Sequence, residues 1–470
     1  MSEMRTRRDF LKASTVAVAI AEAAAPAFSQ TPLTRIAVRR TTAAKKYAEE
    51  SPLEWRPAAA AAPAAIELDP SRTHQEVLGF GAAFTDAACY TLNRLSPSAR
   101  EQLLRELFHP TEMNLSVCRT CMGASDYSTK LYSYDDGEPD PELRRFSTEH
   151  DRAWILPALR QSRAINPDLF LLASPWSPPG WMKANGSMLG GSMRKHWFAA
   201  YANYFVKFLQ SYAAEGVAID AVTSQNEVDT DQDGLMPACL FGQEYEIEFI
   251  AKHLGPALAE NRLATKIWIL DHNYSLWGRA ICTLDEPDVA RYVDGVAWHG
   301  YAGEPSAMTR VQEAHPEKHA YWTEGGPFID DPKYASDWSK WSETFTAVLR
   351  NQARSIIGWN LALDENGKPN IGPFHCGGLV TVHSQTREIT HSGQYFALAH
   401  YARAIRRGAR RFDSRGGPQG ITHVGFTNPD GSKALVVTNP GSETSVRVDL
   451  ADMMTEVALP ADSVTTLTWG

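Results

Sequence analysis

Between residues 77 and 360 the chain alternates short β-rich runs with stretches of helical periodicity, and the alternation repeats eight times. The runs fall at 77–85, 115–122, 169–174, 221–226, 266–270, 295–299, 320–323 and 356–360. One unit shows the logic. Apolar side chains recur at Trp197, Tyr201, Tyr204, Phe208 and Tyr212, a spacing that places them on one face of a helix, and Gly216 supplies a stop before the next run. Strands alternating with helices of this length predict a parallel sheet with crossover helices, and eight such units predict a (β/α)8 TIM barrel, with its site at the carboxyl ends of the strands. An open doubly wound sheet is the competing fold. It calls for a glycine-rich phosphate turn after the first strand, and Gly79-Phe80-Gly81 lacks the third glycine and the ribose-binding acid that would follow.

With 470 residues, 43% of them hydrophobic, the chain has material for more than the barrel. Past residue 407 the texture changes to short alternating strands such as 421–427 and 434–439, joined by the turn-forming Asn428-Pro429-Asp430-Gly431. Strand-like pieces also flank an Ala/Pro-rich connection at 57–65. The expected organisation is a catalytic barrel over 73–407 and a β-sandwich over 408–470, joined by an N-terminal segment at 30–72. Residues 1–29 read as a twin-arginine signal peptide: Arg7-Arg8-Asp9-Phe10-Leu11-Lys12, an apolar run over 16–21, then small residues to Ser29. That pattern predicts export, to a periplasmic or secreted location. The apolar run is too short to span a bilayer, and no other stretch reads as transmembrane.

A net charge of −9 and the absence of a basic face with interleaved aromatics argue against nucleic acid as a partner. Oligomeric state is not legible. Six cysteines in a chain this long do not make a disulfide framework. Cys118 and Cys121 form a C-x-x-C within a strand-like run, where positions three apart face opposite ways, so they read as buried free thiols. His375, His383 and His391 have no metal-ligand spacing.

Two glutamates each close a predicted barrel strand. Glu227 ends Thr223-Ser224-Gln225-Asn226-Glu227, and Glu324 precedes Gly325-Gly326 after the seventh run. In a closed barrel these positions face one another across the mouth. Hydrolysis of a β-glycoside with retention needs such a pair: one carboxylate to form a glycosyl ester, another to protonate the leaving oxygen and later deprotonate water. Ionised Glu324 is expected to raise the pKa of Glu227 by like-charge repulsion. Taken singly, either residue would more often be a solvated loop acid; Asn226 beside one and Gly325-Gly326 beside the other favour the catalytic pair.

The strings Gly79-Phe80-Gly81-Ala82-Ala83-Phe84-Thr85-Asp86, Ala173-Ser174-Pro175-Trp176-Ser177-Pro178-Pro179-Gly180-Trp181, Gln225-Asn226-Glu227 and Trp359-Asn360-Leu361-Ala362-Leu363 resemble glycoside hydrolase family 30, the family of glucocerebrosidase, in matching order from about residue 75 onward. The resemblance implies a retaining β-glycosidase with a sandwich built from both chain ends, Glu227 as acid/base and Glu324 as nucleophile. It implies that Asp86 and Trp176 bind the terminal sugar's outer hydroxyls and that Asn226 lies beside the 2-hydroxyl. Trp359, Asn370, His299 and Tyr301 match further sugar-site positions. Trp176 and Trp359 offer flat faces to a pyranose, with core filler as the alternative for both; Asp86 reads also as a helix cap, Tyr301 as a structural tyrosine and His299 as a satisfied barrel histidine. Departures from the family pattern at Val228, Ala82 and Ile371 bear on loop shape. The implied partner is a carbohydrate or glycoconjugate, with no cofactor and no metal. Exo action on terminal β-linked sugars, of the β-glucosidase or glucosylceramidase kind, is the leading reading; an endo-acting β-glycanase on xylan or β-1,6-glucan, and a silent carbohydrate-binding protein on the same fold, are the alternatives.

Overall fold

The computed structural model describes residues 35–58 and 64–470; the signal-peptide reading at 1–29 lies outside these residues. Eight strands close into a barrel: β1 (Gly79–Phe84), β2 (Val117–Met122), β3 (Phe170–Pro175), β4 (Ala221–Thr223), β5 (Lys266–Asn273), β6 (Val293–His299), β7 (His319–Glu324) and β8 (Ala353–Gly358). Each runs parallel to the next, and β8 closes on β1. Strands enclosed by helices on one side and by the barrel interior on the other are buried along nearly their whole length, which is why these runs lack a polar face. The helix expected from Trp197 begins at Phe198 and runs to Ala214. Gly216 then takes a φ of 79°, and the Val217 N–H reaches back to the Tyr212 carbonyl, closing the helix end.

The barrel interior is layered by the two-residue period of its strands. Val117, Leu172, Ala221, Trp268, Ala297, Tyr321 and Ile357 form a buried apolar plug, with the Trp268 and Tyr321 rings stacked 3.7 Å apart. Two residues further along the strands, Arg119, Ser174, Thr223, His299, Thr323 and Trp359 form the next layer, because alternate side chains share a face. In β5 the period breaks. Leu270 pairs with Ala297 and His272 with Trp298, so Asp271 is an extra residue, and Leu270 and Asp271 take φ of 71° and 46°. This bulge turns both Asp271 and His272 inward. A register shift opposite β7 likewise leaves Thr323 without a strand partner and lets Thr323 and Glu324 both face the site.

A second sheet of ten strands draws on both ends of the chain. Ser463–Trp469 pairs with Arg35–Thr41 on one side and Lys433–Asn439 on the other, and Arg410–Gly416 pairs with Ile66–Glu76. The hairpin turn at Asn428-Pro429-Asp430-Gly431 forms as its chemistry predicts: Gly431 has φ 87° and the Asp430 carboxylate accepts the Ser432 N–H. Ile36, Val38, Leu435, Val437, Val448 and Leu467 fill the sandwich core. Residues from the opposite faces of its strands, among them Val436 and Val464, continue the barrel's own apolar core.

Candidate active site

β4 is shorter than the run that predicts it, ending at Thr223, and this shortening positions Glu227. The chain leaves the ladder, Asn226 N–H binds the Pro175 carbonyl, Glu227 N–H binds the Asp271 carbonyl, and Glu227 takes a φ of 50°. A left-handed conformation at a residue with a Cβ costs about 1 kcal/mol or more, which the surrounding hydrogen bonds must outweigh. β8 also ends two residues early, with Asn360 at φ 57°; Trp359, two past the inward-facing Ile357, keeps the inward face. Gly326 makes room for it, since a Cβ there would lie 2.9 Å from the Trp359 Cβ.

Beneath the mouth, Asp271 joins five strands. Its Oδ2 lies 2.6 Å from Arg119 Nη2, 2.8 Å from Ser174 Oγ and 2.7 Å from Thr223 Oγ1; its Oδ1 lies 3.0 Å from His299 Nε2 and 2.8 Å from Thr323 Oγ1. Burial opposes its ionisation, but Arg119, His299 and Thr223 hold its carboxyl far below the usual range. Fully buried Arg119 also bonds Glu324 Oε2, and its Nη2 donates to Asn226 Oδ1 at 2.6 Å. Its guanidinium lies 4.6 Å from the Trp176 ring centre, and the Trp176 and Trp359 rings stack at 5.1 Å.

Both predicted acids approach one imidazole. His299 Nδ1 lies 3.3 Å from Glu227 Oε1, and Nε2 lies 3.7 Å from Glu324 Oε2. The Tyr301 hydroxyl donates to Glu324 Oε1 at 3.0 Å, and Gln232 Nε2 donates to Glu227 Oε2 at 2.7 Å. Burial disfavours a charge on His299, but Glu324, Asp271 and Glu227 outweigh it and raise the ring to about 9. The expected pKa order is reversed. Burial pushes Glu227 up, yet hydrogen bonding and attraction from His299, with His272 and Gln232 adding to them, bring it below its ordinary value. Burial raises Glu324 above its own, against His299 and Arg119. Repulsion between the two glutamates is real, but it acts on Glu324 in a setting where the imidazoles lie closer to Glu227.

Glu227, Glu324, Trp176, Asn226, Tyr301 and Trp359 line one cavity of about 320 Å³, and His299 sits under it. Asp86 does not reach this cavity. It begins the helix Asp86–Asn93 behind the wall, 1% exposed, with Trp154 Nε1, His150 Nε2 and both the N–H and hydroxyl of Thr129 on its two oxygens. The role expected of it fails because no lone pair is left facing a sugar. Asn370 stands back from the cavity as well, accepting from Gly372 N–H and donating to the Phe374 carbonyl, so it shapes the loop that carries Phe374. The acid that does face the cavity is Asp126. It is 3% exposed, its Oδ1 has no hydrogen-bond partner, and burial together with Glu324 and Glu227 pushes its carboxyl well above the usual range. Four residues after Met122 closes β2, it occupies the carboxyl end of a barrel strand, the signal that singles out Glu227. Phe328 and Phe374, 50% and 39% exposed, form the outer rim.

Arg119, Asp271 and His272 also escaped the sequence reading. A charged residue inside the buried run Val117-Cys118-Arg119-Thr120-Cys121 is the signal for the first. The bulge hides the other two. The thiols of Cys118 and Cys121 are free and buried on opposite faces, one in the outer core and one in the apolar cluster that includes Trp176 and Trp359. His375, His383 and His391 lie beside separate acids, Asp330, Glu365 and Glu106.

Comparison with known proteins agrees with this architecture. The glycosyl hydrolase family 30 TIM-barrel domain matches residues 77–405 and the family's beta sandwich domain matches 408–467. The endo-1,6-beta-D-glucanase of Neurospora crassa is 34% identical over 405 residues, covering 82% of this chain and 83% of that protein. Putative glucosylceramidase 1 of Caenorhabditis elegans is 30% identical over 430 residues, covering 86% and 82%. The crystal structure of SrfJ from Salmonella typhimurium superposes with a TM-score of 0.89 at 26% identity, covering 93% of this chain and 99% of that one. On the strength of a match that spans both domains in order, the chain belongs to glycosyl hydrolase family 30.

Proposed function

We propose that this glycosidase cleaves terminal β-linked sugars, glucose-like in their hydroxyl pattern, with retention at the anomeric carbon. Glu324 attacks the anomeric carbon, the glycosidic C–O bond breaks, and the leaving oxygen takes a proton through Glu227 from the Glu227–His299 pair, whose Oε1 and Nδ1 stand 3.3 Å apart. Water then attacks the glycosyl ester, gives its proton to Glu227, and frees Glu324. Arg119 and the Tyr301 hydroxyl, both bonded to Glu324, orient its oxygens for attack and for departure.

The observation that carries the reading is that two carboxyl groups flank one imidazole in a cavity walled by stacked tryptophans. Exo action rests on Asp126 and Trp176 closing the inner wall and on a volume suited to one pyranose with the start of its aglycone. Kept neutral, Asp126 can both donate to and accept from outer hydroxyls. Similarity to endo-1,6-beta-D-glucanase favours a second reading, endo attack on a β-1,6-linked chain. Hydrolysis of aryl β-glucoside, β-xyloside, β-fucoside and β-galactoside, with the released anomer followed by NMR, tests the first; a first-formed α-anomer would exclude it. Shortening of a β-1,6-glucan to oligomers without release of monomer would select the second. The proposed location is outside the cytoplasm, by the twin-arginine route, and fractionation of a tat-deficient host tests it.

A further inference from the structure

We infer that Glu227, His272 and His299 form a divalent-cation site of the zinc type, and that an ion bound there switches off the glycosidase. The donor atoms of these three side chains all lie within 4.8 Å of one another. Glu227 Oε1 is 3.3 Å from His299 Nδ1 and 3.7 Å from His272 Nδ1. A tetrahedral Zn²⁺ with bonds of about 2.0–2.2 Å to nitrogen and oxygen sets its ligand atoms about 3.3–3.6 Å apart, so both imidazoles already stand near ligand spacing from Glu227, and the two ring nitrogens, within 4.8 Å of each other, close on one ion by a small approach.

Two further observations point the site at a cation. His272 is 8% exposed, lines the cavity, and its Nδ1 has no hydrogen-bond partner. A buried nitrogen without a partner is costly, and a metal ion supplies one. On the other ring, His299 Nε2 lies 3.0 Å from Asp271 Oδ1. With that nitrogen's hydrogen given to Asp271, Nδ1 faces Glu227 and offers its lone pair to an incoming cation once its proton has left to solvent. A carboxylate behind a ligating histidine is the arrangement that orients metal-bound imidazoles. The fourth position of such an ion opens into the cavity, as it does in zinc sites that exchange a ligand.

The β5 bulge creates this site. Regular alternation would turn either Asp271 or His272 outward, and then either the carboxylate behind His299 or the His272 ring would be missing. Cation binding itself depends only on the geometry. Its effect on turnover rests on the proposed role of Glu227, because a carboxylate held by an ion no longer delivers a proton.

The test uses the full chain stripped with EDTA, with Zn²⁺ as the probe and two readouts. Competition against a chromogenic chelator measures binding, and aryl β-glucoside hydrolysis, normalised to each protein's own metal-free rate, measures inhibition. The unmodified protein should take up one ion and lose activity in step with binding, and EDTA should restore it. His272→Ala and His272→Gln should each bind at least about tenfold more weakly, the smallest effect expected when even an outer partner of a ligand is lost. His383→Ala, remote from the cluster, should bind unchanged. Equal affinity in the unmodified protein and in both His272 variants overturns the site. Binding that weakens in those variants while turnover in the unmodified protein stays unaffected overturns the switch and, separately, counts against Glu227 as the acid/base.

Discussion

At the scale of single residues, Glu227 and Asp126 should respond to replacement in different ways. Glu227→Ala should slow hydrolysis of a poor leaving group by about 10²–10⁴-fold, the usual worth of a positioned acid/base. With an activated aryl glycoside the slow step becomes release of the ester, so added azide should restore turnover and yield a glycosyl azide; an intact rate without azide would remove Glu227 from the mechanism. Asp126 makes the opposite kind of claim. A buried acid with a free oxygen is expected to lower the stability of the empty protein and, in the proposed role, to contribute when a sugar fills the cavity. Asp126→Ala should therefore leave the urea midpoint unchanged or raised while kcat/KM falls by about 5–150-fold, the equivalent of 1–3 kcal/mol. Side chains of this kind are legible only in part. Glu227 and Glu324 close runs that the sequence marks as strands, whereas Asp86 and Asp126 both follow strand ends, and only the fold decides that one is consumed by Thr129, His150 and Trp154 and the other lines the cavity.

At the scale of elements, the active site is the continuation of the barrel's own layering. The plug at Trp268 and Tyr321 and the polar layer above it follow from strand period alone, so the positions of Arg119, Ser174 and Trp359 are in principle readable once the strands are known. The bulge at Asp271 is not, because one extra residue changes which side chains face inward without changing composition. Asp271→Ala removes the acceptor shared by Arg119, His299, Ser174, Thr223 and Thr323, breaking one buried ion pair of Arg119 and one of His299; a loss of about 3–5 kcal/mol in urea unfolding is expected, with activity abolished. Loops contribute differently. The turn held by Asn370 presents Phe374, and Phe374→Ala should raise KM for apolar aglycones about fivefold, roughly 1 kcal/mol of lost contact, with kcat unchanged. An equal effect on a methyl glycoside would place Phe374 elsewhere in the binding process.

Across the whole molecule, the barrel and the sandwich are joined through buried polar contacts as well as apolar ones. His400, on the helix Gly393–Ala402, bridges Thr466 and Thr41 at 2.8 Å each, tying the barrel to strands from both chain ends. Burial, with Arg403 adding to it, lowers this ring to about 3. The unfolded chain therefore binds a proton near pH 6.5 that the folded one refuses, and the stability present above pH 6.5 is lost as the pH falls toward 3. Asp151 acts in the opposite sense. Burial raises it to about 6 despite bonds from Tyr134, Tyr212 and Tyr132, so its share of stability is present below about 4 and lost as the pH rises through 6. Replacing His400 by Gln isolates the first effect: the stability gap between the unmodified protein and the variant should shrink by about 2 kcal/mol from pH 6.5 to pH 5, measured by urea unfolding at each pH. A gap that stays constant would mean the ring is protonated in place. What the sequence determined by itself was the alternation of strand and helix, and with it the barrel, the sandwich from both ends and the two glutamates at strand termini, because local period and turn chemistry act between near neighbours. The tertiary structure alone decided which acid lines the cavity, how Arg119 and Asp271 pair beneath it, and that His299 and His272 outweigh Glu324 in setting Glu227. These are balances of charge, burial and hydrogen bonding among residues far apart in the chain, more than a hundred positions for the partners of Arg119, and no local pattern encodes how close they come.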